Sequence, residues 1–136
     1  MRRAATIAAL ALAVSASGAQ AATTDVTIAG FQYTPSGWLT ADPFDASGGA
    51  ATLALPDEQT ALSAPRVGRG DSIRFANMDP VPHTVTKLSG PNGNWTALSL
   101  GGGGTATLTI PALFPLGTYV YRCTIHRGMR GSFTVE

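Results

Sequence analysis

One stretch of sequence decides the fold of this chain: Tyr119-Val120-Tyr121-Arg122-Cys123-Thr124-Ile125-His126-Arg127-Gly128-Met129-Arg130-Gly131. It holds the only cysteine, one of the two histidines and one of the three methionines. Apolar residues alternate with polar ones into this stretch and again beyond it, which predicts two strands joined by a short loop. Thiolate, imidazole and thioether donors in one loop suit copper and suit magnesium, calcium or manganese poorly.

A fourth donor has to come from elsewhere in the chain. The other histidine is His83, which opens a second apolar/polar alternation. Two histidines and a cysteine in a trigonal set, with a weak axial methionine, are the arrangement of blue-copper sites. We therefore predict that one copper ion is bound by His83, Cys123, His126 and Met129, with Met78 as the alternative axial residue.

The ligand stretch resembles that of the cupredoxins, the plastocyanin- and azurin-like type 1 blue copper proteins. Its short Cys-x-x-His-x-x-Met spacing is most similar to the amicyanin-like members. The resemblance extends to residues 67–77 and 82–85 and covers roughly half of the mature chain. It implies a cupredoxin-like fold, one copper ion cycling between Cu(I) and Cu(II), and His126 as the electron port.

The resemblance also implies a contact between the first histidine strand and the ligand loop. In amicyanin-like proteins an asparagine six residues before the first histidine bonds the residue after the cysteine, so Asn77 would bond Thr124. Amicyanin-type loops carry prolines where this chain has Ile125 and Arg127. Both positions therefore regain a backbone N–H and freedom in φ.

Arg127 and Arg130 would place positive charge near the port at His126. Charges on the rim of an interface mainly change the rate at which partners meet. Two solubilising arginines are the alternative interpretation.

Length and composition point to one β-rich domain. The chain has 136 residues, of which 44% are apolar and 12% charged, so it has material for a core and no disorder signature. Sixteen glycines and nine prolines favour short strands and turns over long helices. We predict an all-β, Greek-key β-sandwich of about seven to eight strands.

Individual strands are predicted where apolar and polar residues alternate. The first is expected over residues 25–33 as one strand. Further strands are expected over 72–77, 83–88, 95–100 and 105–110, before the pair that flanks Cys123. Residues 37–64 interrupt this pattern and are interpreted as an insertion relative to cupredoxins.

The N-terminus has the pattern of a secretory signal peptide. Arg2 and Arg3 precede an apolar run, and Ala19-Gln20-Ala21 is typical of a cleavage site. The run is shorter than the roughly 20 apolar residues that span a bilayer. We predict a signal peptide over 1–21 and a copper domain over 22–136, exported to the periplasm or the extracellular space; an N-terminal membrane anchor is the alternative.

The charge balance argues against one class of partner, and the cysteine count limits the chemistry of the chain. Removing Arg2 and Arg3 leaves seven basic residues against eight acidic ones, which argues against nucleic-acid binding. A single cysteine forms no internal disulfide, and ligation to copper would explain a lone thiol in an oxidising compartment.

The sequence therefore predicts an exported, monomeric type 1 copper protein, without a membrane span after signal removal, that carries single electrons between a redox protein donor and acceptor. We expect no enzymatic activity, because two histidines cannot supply the His-x-His pairs of a trinuclear copper centre. The alternatives are a copper storage or delivery protein, and a metal-free β-sandwich that binds another protein and simply buries Cys123.

Overall fold

The computed structural model describes residues 21–39 and 63–136. The predicted signal peptide, except Ala21, and most of the predicted insertion therefore lie outside the described residues. Within the two described ranges no helix is long and apolar enough to cross a membrane. The strands are β1 (Thr23–Ala29), β2 (Gln32–Thr34), β3 (Trp38–Leu39), β4 (Arg66–Val67), β5 (Ser72–Asn77), β6 (His83–Ser89), β7 (Leu98–Leu100), β8 (Thr105–Thr109), β9 (Gly117–Arg122) and β10 (Met129–Val135).

These strands form two sheets, which confirms the predicted all-β sandwich. One sheet has the order β2-β1-β5-β8, and the other has the order β3-β10-β9-β6-β7 with β4 paired to β10. The chain crosses between the sheets from β2 to β3, from β4 to β5, from β5 to β6, from β7 to β8 and from β8 to β9. These crossings are the Greek-key connections of a β-sandwich.

The core between the sheets is built from the inward residues of each alternation, and it is rich in aromatic rings. Tyr121 is fully buried, and its ring meets Tyr33 and Phe75 edge to face, with ring centroids 4.7 Å and 5.5 Å away. Gly131 lies opposite Tyr121 on β10, where a Cβ atom would stand 2.4 Å from the tyrosine ring. This packing gives β9 and β10, which carry the ligand loop, a rigid base.

The start of the first sheet is fixed by a side chain as well as by the strand ladder. The backbone N–H of Ala22 donates to the carboxylate of Asp71 at 2.9 Å, and the N–H of Ser72 donates to the carbonyl of Ala22. Asp71 also accepts the N–H of Gly68 at 2.9 Å. One carboxylate therefore joins the beginning of β1 to the turn before β5.

The prediction of one strand over residues 25–33 is wrong. The chain reverses at Gly30 and Phe31, which have φ values of 59° and 62°, and the hairpin pairs Ala29 with Gln32. Positive φ at both residues is typical of a two-residue hairpin loop. A glycine inside an alternating segment was the available signal. This division, with the two-residue strands β3 and β4, gives ten strands in the described ranges instead of seven to eight.

Candidate metal centre

The structure brings three of the predicted ligands together at one end of the sandwich. His83 opens β6, Cys123 follows β9 directly, and His126 lies in the loop between β9 and β10. Antiparallel pairing of Thr86 with Arg122 places the start of β6 beside the end of β9. The ligand atoms of the two histidines and the cysteine all lie within 4.8 Å of one another.

The spacing of these atoms fits a shared metal ion. The Sγ of Cys123 lies 3.8 Å from Nδ1 of His83 and 3.5 Å from Nδ1 of His126. Metal bonds of about 2.0 Å to nitrogen and about 2.3 Å to sulfur, at trigonal angles, place the two donor atoms about 3.7 Å apart. Both sulfur–nitrogen distances therefore match the separation that a trigonal centre requires.

Asp79 orients the first histidine. Its carboxylate lies 2.8 Å from Nε2 of His83, and the imidazole is fully buried. An ionised carboxylate only accepts hydrogen bonds, so the proton of the neutral ring resides on Nε2. Nδ1 is then left with its lone pair directed at the cysteine, which is the tautomer that binds a metal.

The Asp79 carboxylate is itself held by the hairpin loop between β1 and β2. It accepts the backbone N–H of Gly30 at 2.8 Å and that of Phe31 at 3.0 Å. Burial raises the pKa of Asp79, but the hydrogen bonds from Phe31, Gly30 and His83 outweigh burial and hold the pKa below its ordinary value. Asp79 stands four residues before His83, but no sequence pattern marks it as the partner of that histidine.

His126 is partly buried beneath an aromatic ring. Phe31 meets His83 and His126 edge to face, with ring centroids 5.3 Å and 4.7 Å away. Desolvation, followed by the charge of His83, lowers the pKa of His126, while Asp79 acts in the opposite direction. A lowered pKa favours the neutral imidazole, which is the form that binds metals.

Met129 closes the ligand loop. It is fully buried at the start of β10, its N–H donates to the carbonyl of His126, and its carbonyl accepts the N–H of Cys123. Gly128, with φ of 76°, makes the turn that precedes it. Met78, the alternative axial residue, is 68% exposed to solvent. Burial and loop geometry therefore favour Met129 over Met78.

The expected bond between Asn77 and Thr124 is wrong. The amide nitrogen of Asn77 donates to the carbonyls of Val81, Leu100 and Gly101, and its oxygen accepts the N–H of Asp79. Asn77 thus shapes the connection that carries Asp79.

Thr84 makes the link between β6 and the ligand loop instead. Its Oγ1 accepts the N–H of Thr124 at 2.9 Å, and its own N–H lies 3.4 Å from the Sγ of Cys123. Thr84 follows His83 directly, so one dipeptide provides both a candidate ligand and the anchor of the loop.

Replacing Thr84 with valine should destabilise the metal-free protein. The substitution keeps the shape of the side chain but leaves the N–H of Thr124 without its acceptor, at a cost of about 1–3 kcal/mol in the free energy of unfolding. Thr84→Ser keeps the hydroxyl and is the matched control. Urea unfolding measures both variants; an equal loss in the two would assign the effect to the methyl group.

The two arginines expected beside the port differ in their environment. Arg127 is partly exposed, whereas Arg130 is only 2% exposed. The interpretation of Arg130 as a charge on the surface rim is therefore wrong.

The fold is similar to that of solved amicyanin structures. The reduced state of an amicyanin variant is 26% identical, with 84% of this chain and 82% of that chain covered and a TM-score of 0.53. The Cu(I) form of another amicyanin variant is 25% identical, with 89% of both chains covered and a TM-score of 0.53.

A copper-containing nitrite reductase from Thermus scotoductus SA-01 has a TM-score of 0.57 at 18% identity, a likeness that shows the fold alone. The matched region spans 84% of this chain but only 22% of the reductase. No protein-family model and no curated protein sequence matches this chain. The structural likenesses, together with the donor cluster, confirm the predicted cupredoxin fold.

Proposed function

We propose that this chain, with its cupredoxin fold and its amicyanin-like ligand loop, is a type 1 copper protein that carries single electrons. The ligands would be His83, Cys123, His126 and, in the axial position, Met129. The observation that carries the proposal is the convergence of the two imidazoles and the thiol, with all ligand atoms within 4.8 Å. Soft sulfur donors combined with imidazoles favour copper over the hard divalent cations.

Bound copper would supply a one-electron Cu(I)/Cu(II) couple. The protein contributes donor side chains that are held in place by hydrogen bonds from neighbouring residues. Asp79 fixes the ring of His83, and Thr84 fixes the backbone after Cys123. Because these supports belong to strands and to a hydrogen-bonded loop, the donors need little movement when the charge of the ion changes. A small rearrangement permits fast electron transfer.

His126 is proposed as the port through which electrons pass. It is the one histidine of the cluster that is partly exposed, since His83 is fully buried. Ile125, next to it in the chain, is 51% exposed. An apolar residue beside an exposed ligand edge suits brief contact with redox proteins, which we propose as the donor and the acceptor.

The cluster itself favours a carrier over a storage or delivery protein. Cys123 is only 2% exposed and His83 is fully buried, whereas delivery requires ligands that a recipient can reach. We propose that the chain works as an exported carrier and not as an enzyme, in agreement with the two histidines of its sequence.

The visible spectrum of the copper-loaded protein tests this proposal. We expect one copper per chain and an intense thiolate-to-copper absorption band, which Cys123→Ser abolishes. Slow loss of copper to a chelator is expected because the ligands are buried. Copper binding without the band, or rapid exchange with the chelator, would favour storage or delivery; absence of bound copper would favour the metal-free binding module.

A further inference from the structure

A cavity of about 240 Å³ lies beside the candidate metal centre and is dominated by positive charge. Its lining residues are Arg122, Cys123, Thr124, Arg127, Gly128 and Arg130. Of the three residues in the metal cluster, only Cys123 contributes to this lining. The cavity is therefore a separate feature that adjoins the metal centre.

Two of the arginines that line the cavity are direct neighbours on adjacent strands. Arg122 on β9 and Arg130 on β10 are directly paired in the strand register, an arrangement that is unfavourable for like charges. Arg130 is 2% exposed, and its Nε finds no hydrogen-bond partner among the described residues. Among residues 21–39 and 63–136, its Nη1 makes one long contact of 3.5 Å, with the carbonyl of Met129. Burying a charged guanidinium with so few hydrogen bonds costs folding free energy, unless an anion is bound next to it.

The side-chain carboxylates of the described ranges all bond groups outside this cavity. Asp79 bonds His83, and Asp71 accepts the backbone N–H groups of Ala22 and Gly68. The other two form exposed ion pairs, Asp25 with Arg74 and Glu136 with Arg66. The side chains of residues 21–39 and 63–136 therefore offer no further carboxylate to the three cavity arginines.

We propose that this cavity binds a doubly charged oxyanion of the size of phosphate or sulfate. Guanidinium groups match pairs of anionic oxygens in a bidentate fashion. A volume of about 240 Å³ accommodates such an anion together with water. Three cationic groups around one cavity favour a dianion over acetate or chloride.

Calorimetric titration of the metal-free, reduced protein with inorganic phosphate tests the site without reference to copper. Chloride is exchanged for phosphate so that the ionic strength stays constant. We expect saturable binding of one anion per chain and a Tm that rises with phosphate concentration. Sulfate should behave alike, whereas acetate should bind at least about tenfold more weakly, because it carries a single charge and pairs with fewer arginines.

The double variant Arg122→Gln/Arg127→Gln should weaken phosphate binding by about tenfold or more, since hydrogen bonds to charged groups are lost. Both side chains are at least partly exposed, so folding should survive. Arg74→Gln, which removes an exposed arginine from an ion pair outside the cavity, is the matched control and should bind phosphate normally. Wild-type protein that shows no phosphate-specific heat or Tm shift would overturn the proposal. Undiminished binding in the double variant, or equal weakening in Arg74→Gln, would also overturn it.

Discussion

Asp79→Asn is expected to lower the affinity for copper about 10- to 100-fold, the range typical of losing the hydrogen-bond partner of a metal-binding histidine. The carboxylate accepts three hydrogen bonds, from Gly30, Phe31 and His83. An asparagine amide has one oxygen, and its NH₂ group would oppose at least one of these donors. Even when the amide oxygen takes the position that faces Phe31 and His83, the ring of His83 exchanges a charged acceptor for a weaker, neutral one.

The same substitution should raise the reduction potential. A buried negative charge beside His83 stabilises Cu(II) more than Cu(I), and its removal reverses that preference. Each tenfold change in the ratio of the two affinities corresponds to about 59 mV for a one-electron couple. Competition with a chelator measures the affinity, and voltammetry measures the potential.

Asp25→Asn is the matched control, because it removes the same charge from an exposed ion pair with Arg74. It should leave both the affinity and the potential close to those of the wild type. If Asp79→Asn changed neither quantity more than Asp25→Asn did, the orienting role of Asp79 would be refuted.

Met129→Ala should destabilise the metal-free protein by about 2–5 kcal/mol, the cost of truncating a fully buried methionine. Met129→Leu conserves the volume and should cost less than about 1.5 kcal/mol. Both variants remove the proposed axial sulfur, so both should alter the absorption spectrum and the reduction potential of the copper form. Leucine thus separates the loss of a ligand from the loss of packing.

Met78→Leu controls for the choice of axial residue. Met78 is 68% exposed, so its replacement should change neither the stability nor the copper spectrum. A spectral change in Met78→Leu, together with an unchanged spectrum in Met129→Leu, would assign the axial position to Met78.

The candidate ligands could be proposed from the sequence because the signal for them is local. Cys123, His126 and Met129 lie within seven positions on one loop, and His83 is the only other histidine. The strands that carry them were accessible for the same reason, since their alternation is regular.

The residues that hold the candidate ligands in place could not be predicted from the sequence, because their roles depend on contacts between segments that are distant in the chain. Asp79 reaches its role through Gly30 and Phe31, which lie nearly fifty positions away in the chain. Choosing Thr84 over Asn77 as the anchor of Thr124 requires the register of β6 against β9. Neither relation leaves a periodic pattern in the sequence.

The burial of Arg130 was missed for a different reason. Arginine is usually exposed, so its place next to Arg127 in a loop-like segment suggested a surface position. The pairing of β10 with both β9 and β3 places Arg130 between two strands.

The bond between Ala22 and Asp71 has a consequence for maturation. If a leader is cleaved after Ala21, as the sequence predicts, the nitrogen that now lies 2.9 Å from the Asp71 carboxylate becomes a free ammonium group. In the folded protein the new terminus would then form an ion pair with Asp71 in place of a neutral hydrogen bond. Hydrogen bonds from Ala22 and Gly68 already hold the pKa of Asp71 below its ordinary value. The contribution of this contact to the stability of the fold is therefore fully present above the pKa that Asp71 has in the unfolded chain. It is lost as the pH falls through the lower pKa that Asp71 has in the folded state.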